Sequence, residues 1–226
     1  MAFTKLPELS SFSSVQIQDD DKMLRGHNQL QSARARLLES AEVKRQVAEN
    51  CIEAILAAAD LIADTFRSGG KVLLCGNGGS AADCQHMAAE FVSRLSKDFD
   101  RPALPAIALT TDTSFLTAFT NDCGFDGVFE RQIEGLGKPG DVLVAISTSG
   151  NSPNVIRAVE AAKAKNIRTI GLTGNGGSLS RTAHIAISVP SANTQFIQEA
   201  HLAIEHTICE LVEHSLFSQE AVLGFL

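Results

Sequence analysis

The sequence predicts an α/β protein of three layers, with a five-stranded parallel sheet between two sets of helices and a long helix ahead of them. Three observations carry that prediction. Short apolar runs at Val72–Cys75, Ala106–Leu109, Val142–Ile146, Thr169–Leu172 and Ile185–Val189 are continuous rather than alternating, as strands covered on both faces require. Stretches of helical period lie between them, roughly over 112–120, 125–136 and 153–165, and a last one runs from Thr194 to Phe217. The first apolar run ends in Gly76-Asn77-Gly78-Gly79-Ser80, a sharp turn into a helix.

Taken in order, residues 1–28 are rich in Ser and Asp, lack apolar periodicity and read as a flexible arm; residues 29–226 read as one domain. From about Gln29 to Ser68 the pattern is helical. Ile52, Ile55, Leu56, Ala59, Ile62, Ala63 and Phe66 form one stripe, and Gly69-Gly70 is the stop. That stripe is wider than a domain edge needs, which points to a subunit interface. In the next unit, Lys71 to Glu90, Ser80 is the expected N-cap, and Ala81-Ala82-Asp83 follows with good helix formers and an acid. His86 and Glu90, four apart on that helix, leave the same face. The turn sequence GNGGS recurs at 174–178, where no long helix follows it, so the second copy reads as a tight turn.

Composition removes several classes of function. A net charge of −7 argues against non-specific binding of nucleic acid, and without Trp or Tyr only Phe is left to stack on bases. The five cysteines are scattered, with no C-x-x-C pair, and read as reduced thiols of a cytoplasmic protein. No leader-like segment and no apolar run of about 18 residues or more is present, so neither export nor a membrane span is expected.

Ligands of an open parallel sheet bind beyond the carboxyl ends of its strands. Three segments there have suitable chemistry: Gly76–Ser80, Asn121-Asp122 in a polar break between helices, and Ser147-Thr148-Ser149-Gly150-Asn151-Ser152 before Pro153. The last supplies hydroxyls, a glycine and a new helix N-terminus, a cradle for a phosphate ester that uses no Lys or Arg. Gly76-x-Gly78-x-x-Ala81 formally fits a dinucleotide fingerprint, but the acid expected at the end of the next strand is missing; no Walker sequence occurs. On spacing alone, a pair such as His86/Glu90 is more often solvated or interfacial than catalytic. The last helix repeats that spacing in His201/Glu205, and spacing does not choose between His201 and His206.

CGNGGSAAD, His86-x-x-x-Glu90, Asn121-Asp122, AISTSGNSPNVI and Gln198-Glu199-x-His201-x-x-x-x-His206 together resemble the bacterial phosphoheptose isomerases, over about residues 30–217. The resemblance implies the flavodoxin-like SIS fold, a homotetramer, one zinc ion (Zn2+) per subunit, and isomerisation of sedoheptulose 7-phosphate to D-glycero-D-manno-heptose 7-phosphate for lipopolysaccharide core or other surface glycans. It assigns substrate contacts to Asn77, Gly78, Gly79, Glu90, Asn121, Asp122, Ser147, Thr148, Ser149, Ser152 and Gln198. Metal positions are His86, Glu90, Gln198 and His206, and the catalytic pair is Glu90 and His206.

That chemistry needs such groups. A ketose becomes an aldose when one proton moves between neighbouring carbons through an enediol, and Glu90 is the candidate base. His206 suits the proton transfer between oxygens, because imidazole titrates near neutrality. One tension remains: Gln198 and His206 are eight residues apart, a rise of ~12 Å on one straight helix. Either residues are borrowed across a subunit interface, or Gln198 chiefly contacts substrate. The alternative from another class is a non-catalytic SIS-fold tetramer that binds a replication initiator. It shares the glycine and serine motifs but lacks counterparts of Glu90 and His206, although Ser215-Leu216-Phe217 resembles that group. A sugar-phosphate-sensing regulator would carry a DNA-binding domain, for which the arm is too short and too poor in basic residues.

Overall fold

A computed structural model describes residues 11–97 and 100–218. The chain divides into two compact units, residues 1–42 and 43–226. The first contributes most of α1 (Ser11–Asn50), on which Leu30, Leu37 and Leu38 are exposed. Helix thus begins ahead of the boundary at residue 28 drawn from the sequence; Ser and Asp form helix only moderately well but do not break it, and Gln forms it well. Residues 1–10 of the expected arm lie outside the described residues.

The second unit is built on a five-stranded sheet, all parallel, in the order β2-β1-β3-β4-β5. Its strands are β1 (Val72–Gly76), β2 (Ala106–Ala108), β3 (Val142–Ser147), β4 (Arg168–Thr173) and β5 (Ile185–Ser188). Every residue of β1 and β3 is buried, which explains their unbroken apolar composition. Alternate side chains feed two cores. Val72, Leu74, Val142, Val144, Ile146, Ile170 and Leu172 pack beneath α2 (Ile52–Arg67), α3 (Gly79–Val92) and α8 (Thr194–Phe217). Leu73, Cys75, Leu143 and Ala145 pack beneath α5 (Val128–Leu136) and α6 (Pro153–Ala164). α4 (Thr113–Cys123), a 3-10 turn at Phe125–Gly127 and the single-turn α7 (Leu179–Thr182) complete the order.

Three boundaries differ from the sequence reading, each for a local reason. The single helix expected over 29–68 is two, α1 and α2, parted at Cys51, whose thiol donates to the Ser188 carbonyl at 3.4 Å. The N-cap of α3 is Gly78, not Ser80: at φ +56° the glycine turns the chain earlier, and its carbonyl accepts from the N–H groups of Ala81 and Ala82. Asn121-Asp122 is not a break between helices. It lies in the last turn of α4, which Asp112 caps at one end and Gly124, at φ +88°, stops at the other.

Candidate active site

Parallel pairing aligns the exits of the central strands. Gly76 at the end of β1 lies beside Ile146 of β3, and Ser147 lies beside Thr173 of β4, so the glycine turn and the serine run emerge on one edge. In the serine run, Ser147 Oγ is 2.9 Å from Ser152 Oγ and 3.4 Å from Ser149 Oγ, and the Ser149 hydroxyl accepts from Asn151 N–H. Ser152 is the N-cap of α6 but spends its hydroxyl on Ser147 rather than on the helix. Pro153 carries no N–H and the N–H groups of Val155 and Ile156 donate to the Ser152 carbonyl, so the donors this loop offers an anion are mainly its hydroxyls. The second GNGGS turn buttresses this loop: Gly174 N–H donates to Thr148 O, Ser178 N–H to Asn151 Oδ1, and Leu179 N–H to Gly150 O. Gly150, at φ +65°, sits so close that a Cβ there would fall 2.6 Å from the Gly176 carbonyl.

The two loops are tied by a pair the sequence reading missed. Asn77 and Asn154 exchange both amide hydrogen bonds, each 2.9 Å long, and Asn154 is buried. Asn154 is the second residue of α6, directly after the serine run, and its position is the one signal the sequence held. Across the glycine turn lies α8, held at its start by Asn193, whose Oδ1 accepts from Gln195 and Phe196 N–H. A Cβ at Gly79 would collide with the Gln198 amide, so the glycine admits that side chain.

Farther along the same helices, α3 and α8 bring three expected site residues together. His86 Nε2 is 2.7 Å from His206 Nε2 and 3.5 Å from Glu90 Oε1, and the three ligand atoms all lie within 4.8 Å of one another. Tetrahedral zinc with N and O ligands at ~2.0–2.2 Å separates its donors by ~3.3 Å, so the His86–Glu90 spacing already suits it and the imidazoles need part only slightly. Two imidazoles and a carboxylate therefore fit a borderline cation. Gln198 meets Gly79, two turns of α8 away from His206. Asn121 and Asp122 are exposed and hydrogen-bond each other; no hydrogen bond joins them to the other site residues among the described residues.

Beneath the cluster is a buried polar layer. His201 is fully buried and hydrogen-bonds the Thr173 carbonyl through Nε2; burial lowers its pKa to about 4, partly opposed by that bond. Glu205 beside it is pushed up to about 9 by burial and then by Asp83, whose own carboxyl burial lifts to about 6 against the pull of His86. Asp83 Oδ2, His201 Nδ1 and both Glu205 oxygens have no hydrogen-bond partner among the described residues.

Fold and site together define a parallel α/β domain with an anion cradle and, between two helices, an acid–base cluster able to take a metal. The family model of the SIS domain matches residues 37–174. A phosphoheptose isomerase of Roseiflexus sp. (strain RS-1) is 53% identical over 181 residues, 80% of this chain and 91% of that protein. One of Chlorobaculum tepidum is 54% identical over 180 residues, 79% of this chain and 86% of that protein. The solved phosphoheptose isomerase of Neisseria gonorrhoeae superposes with a TM-score of 0.75 at 43% identity, covering 81% of this chain and 97% of that one. The chain belongs to the phosphoheptose isomerase family of SIS-domain proteins.

Proposed function

We propose that this protein converts sedoheptulose 7-phosphate into D-glycero-D-manno-heptose 7-phosphate. The observation that carries the reading is the meeting of Glu90, His86 and His206 on facing helices that flank a hydroxyl-lined anion cradle. The serine run and the α6 N-terminus hold the phosphate, while Asn77, Gly78, Gly79 and Gln198 line the path from it. Glu90, with a side chain 18% exposed, takes a proton from C1 and returns it to C2, and the enediol forms between the two transfers. His206 carries the accompanying proton from one oxygen to the other. Asn121 and Asp122 contact the sugar in this reading. His86, Glu90 and His206 would hold a zinc ion, with Gln198 a further ligand or a substrate contact, and the ion would supply Lewis-acid polarisation of the sugar oxygens.

The assembly we assign is a homotetramer, supported by the exposed Leu30, Leu37 and Leu38 of α1 and by Ile52 and Leu56 of α2. Residence in the cytoplasm is supported by the thiols of Cys51, Cys75, Cys84 and Cys209, all free and buried, with burial raising each pKa. No described helix is long and apolar enough to cross a membrane. The product belongs in this reading to heptose precursors of lipopolysaccharide or other surface glycans. The relatives described above carry the isomerase name and give the initiator-binding scaffold no support.

The test is incubation of the purified protein with the ketose phosphate while the aldose is followed by NMR, with and without a chelator. Aldose is expected to appear, and chelation is expected to slow it; absence of aldose from metal-loaded protein would remove the assignment.

A further inference from the structure

The α3 helix carries Glu90 in its last turn yet has no basic residue there to answer its exposed carbonyls. The missing charge comes from outside the helix. Arg101, in the loop toward β2, reaches back and donates through Nη2 to the carbonyl of Glu90 itself at 2.8 Å and through Nη1 to that of Phe91 at 2.9 Å. Nη1 also donates to the Pro102 carbonyl at 3.0 Å. The same guanidinium donates through Nε to Glu213 Oε1 at 2.7 Å, and both side chains are 1% exposed. Glu213 stands on α8 seven residues after His206, and its Oε1 also accepts from Leu95 N–H just beyond α3. Phe217 on α8 covers the guanidinium, with its ring centroid 5.9 Å away.

A buried ion pair is weak evidence of stabilisation, because desolvation offsets most of the attraction. The geometry here does something more particular. One planar fork joins the main chain of the base-bearing residue to the helix that carries His206, and Lys, whose three donors share a single nitrogen, cannot reproduce contacts made from Nε, Nη1 and Nη2. We infer that Arg101 is a positioning residue of the reaction, which with Glu213 sets the register of α3 against α8 and so the placement of Glu90 beside His206. This rests on the isomerase reading for its kinetic consequence and on geometry alone for its structural one.

Removing Arg101 singly strands a buried carboxylate and risks the fold, so the informative variants are Arg101→Lys and the double variant Arg101→Met/Glu213→Leu, which replaces both charges with apolar bulk and is expected to fold. Circular dichroism and thermal melts report folding; steady-state kinetics on sedoheptulose 7-phosphate report kcat and KM separately. Misplacement of a catalytic group by about an ångström costs on the order of 100-fold in rate. Both variants are therefore expected to lose about 100-fold in kcat while KM stays within about twofold, because the phosphate cradle sits on other elements. A folded double variant with kcat within about threefold of wild type would overturn the inference and leave the pair a purely structural one.

A second readout needs no turnover. In 15N-histidine spectra, both variants are expected to shift the side-chain resonances of His86 and His206 and to leave the distant His184 in place. Unmoved His86 and His206 signals also overturn the inference. Inactivity of the wild-type protein would sink the isomerase reading, and the spectra would still decide whether Arg101 sets the geometry.

Discussion

The anion cradle and the α3–α8 cluster are built in opposite ways. Within the cradle, Ser147, Ser149 and Ser152 are neighbours in the chain, and local turns plus one helix start bring their hydroxyls together. In the cluster, His86 and His206 come from segments 120 residues apart, and only the docking of α8 on α3 puts their Nε2 atoms 2.7 Å from each other. A contiguous site tolerates small shifts of the helices that pack beneath it. A site made between two helices inherits every error in their register, and polar groups gather there: Arg101, Glu213, Glu205 and His201 with buried side chains, and the half-buried Asp83.

The contrast can be broken or sharpened by substitution. The largest effect belongs to Glu90→Gln, which keeps size but cannot accept the carbon-bound proton. It is expected to lower kcat by about 10²–10⁴-fold with little change in KM or in assembly size, measured by steady-state assay and gel filtration. Retained turnover would remove Glu90 as the base.

A smaller effect, on KM rather than kcat, is expected from the cradle side. Asn154→Asp cannot donate to Asn77 Oδ1 and so breaks half of the reciprocal amide pair. The loss of one buried hydrogen bond, about 1–1.5 kcal/mol, predicts a rise in KM of about tenfold. A kcat loss at unchanged KM would mean that the two regions are not separable as described.

The remaining effect is on stability and leaves turnover aside. Glu205, 1% exposed and raised from 4.5 to about 9, holds its proton in the folded protein where the unfolded chain has released it. A raised folded-state pKa favours the fold below the unfolded value, and that benefit is lost as pH climbs toward 9. Asp83 shifts only up to about 6 and the unfolded His201 pKa is 6.5, so neither works against Glu205 above neutrality. Thermal melts should therefore fall between pH 7 and 9 by up to about 1.4 kcal/mol per pH unit, roughly 3–5 °C each. Glu205→Gln should flatten that slope. An unchanged slope would mean that Glu205 ionises freely, through water reaching its two unpartnered oxygens.

Much of this architecture was legible before any coordinates. The continuous apolar runs placed all five strands within a residue or two, and the α8 limits, Thr194 and Phe217, read directly from periodicity. The misplaced boundaries were those set by backbone torsion rather than side-chain pattern. Gly78 displaced Ser80 as the cap of α3, and α4 ran through Asn121-Asp122 because only Gly124 could stop it. Asn154 and Arg101 went unread, since an amide at a helix start and a loop arginine acquire a role only from what faces them.

By itself the sequence determined the sheet, its order of helices, the serine run that leaves β3 and the helix face shared by His86 and Glu90, because each depends on residues close together in the chain and on a fixed helical or strand period. Only tertiary structure decided that His206, and not His201, faces His86, that His201 turns inward to the Thr173 carbonyl, and that Arg101 clasps the end of α3. The two histidines, five residues apart, leave α8 about 140° from each other, so the roll that buries the helix's apolar face lets only one of them face His86.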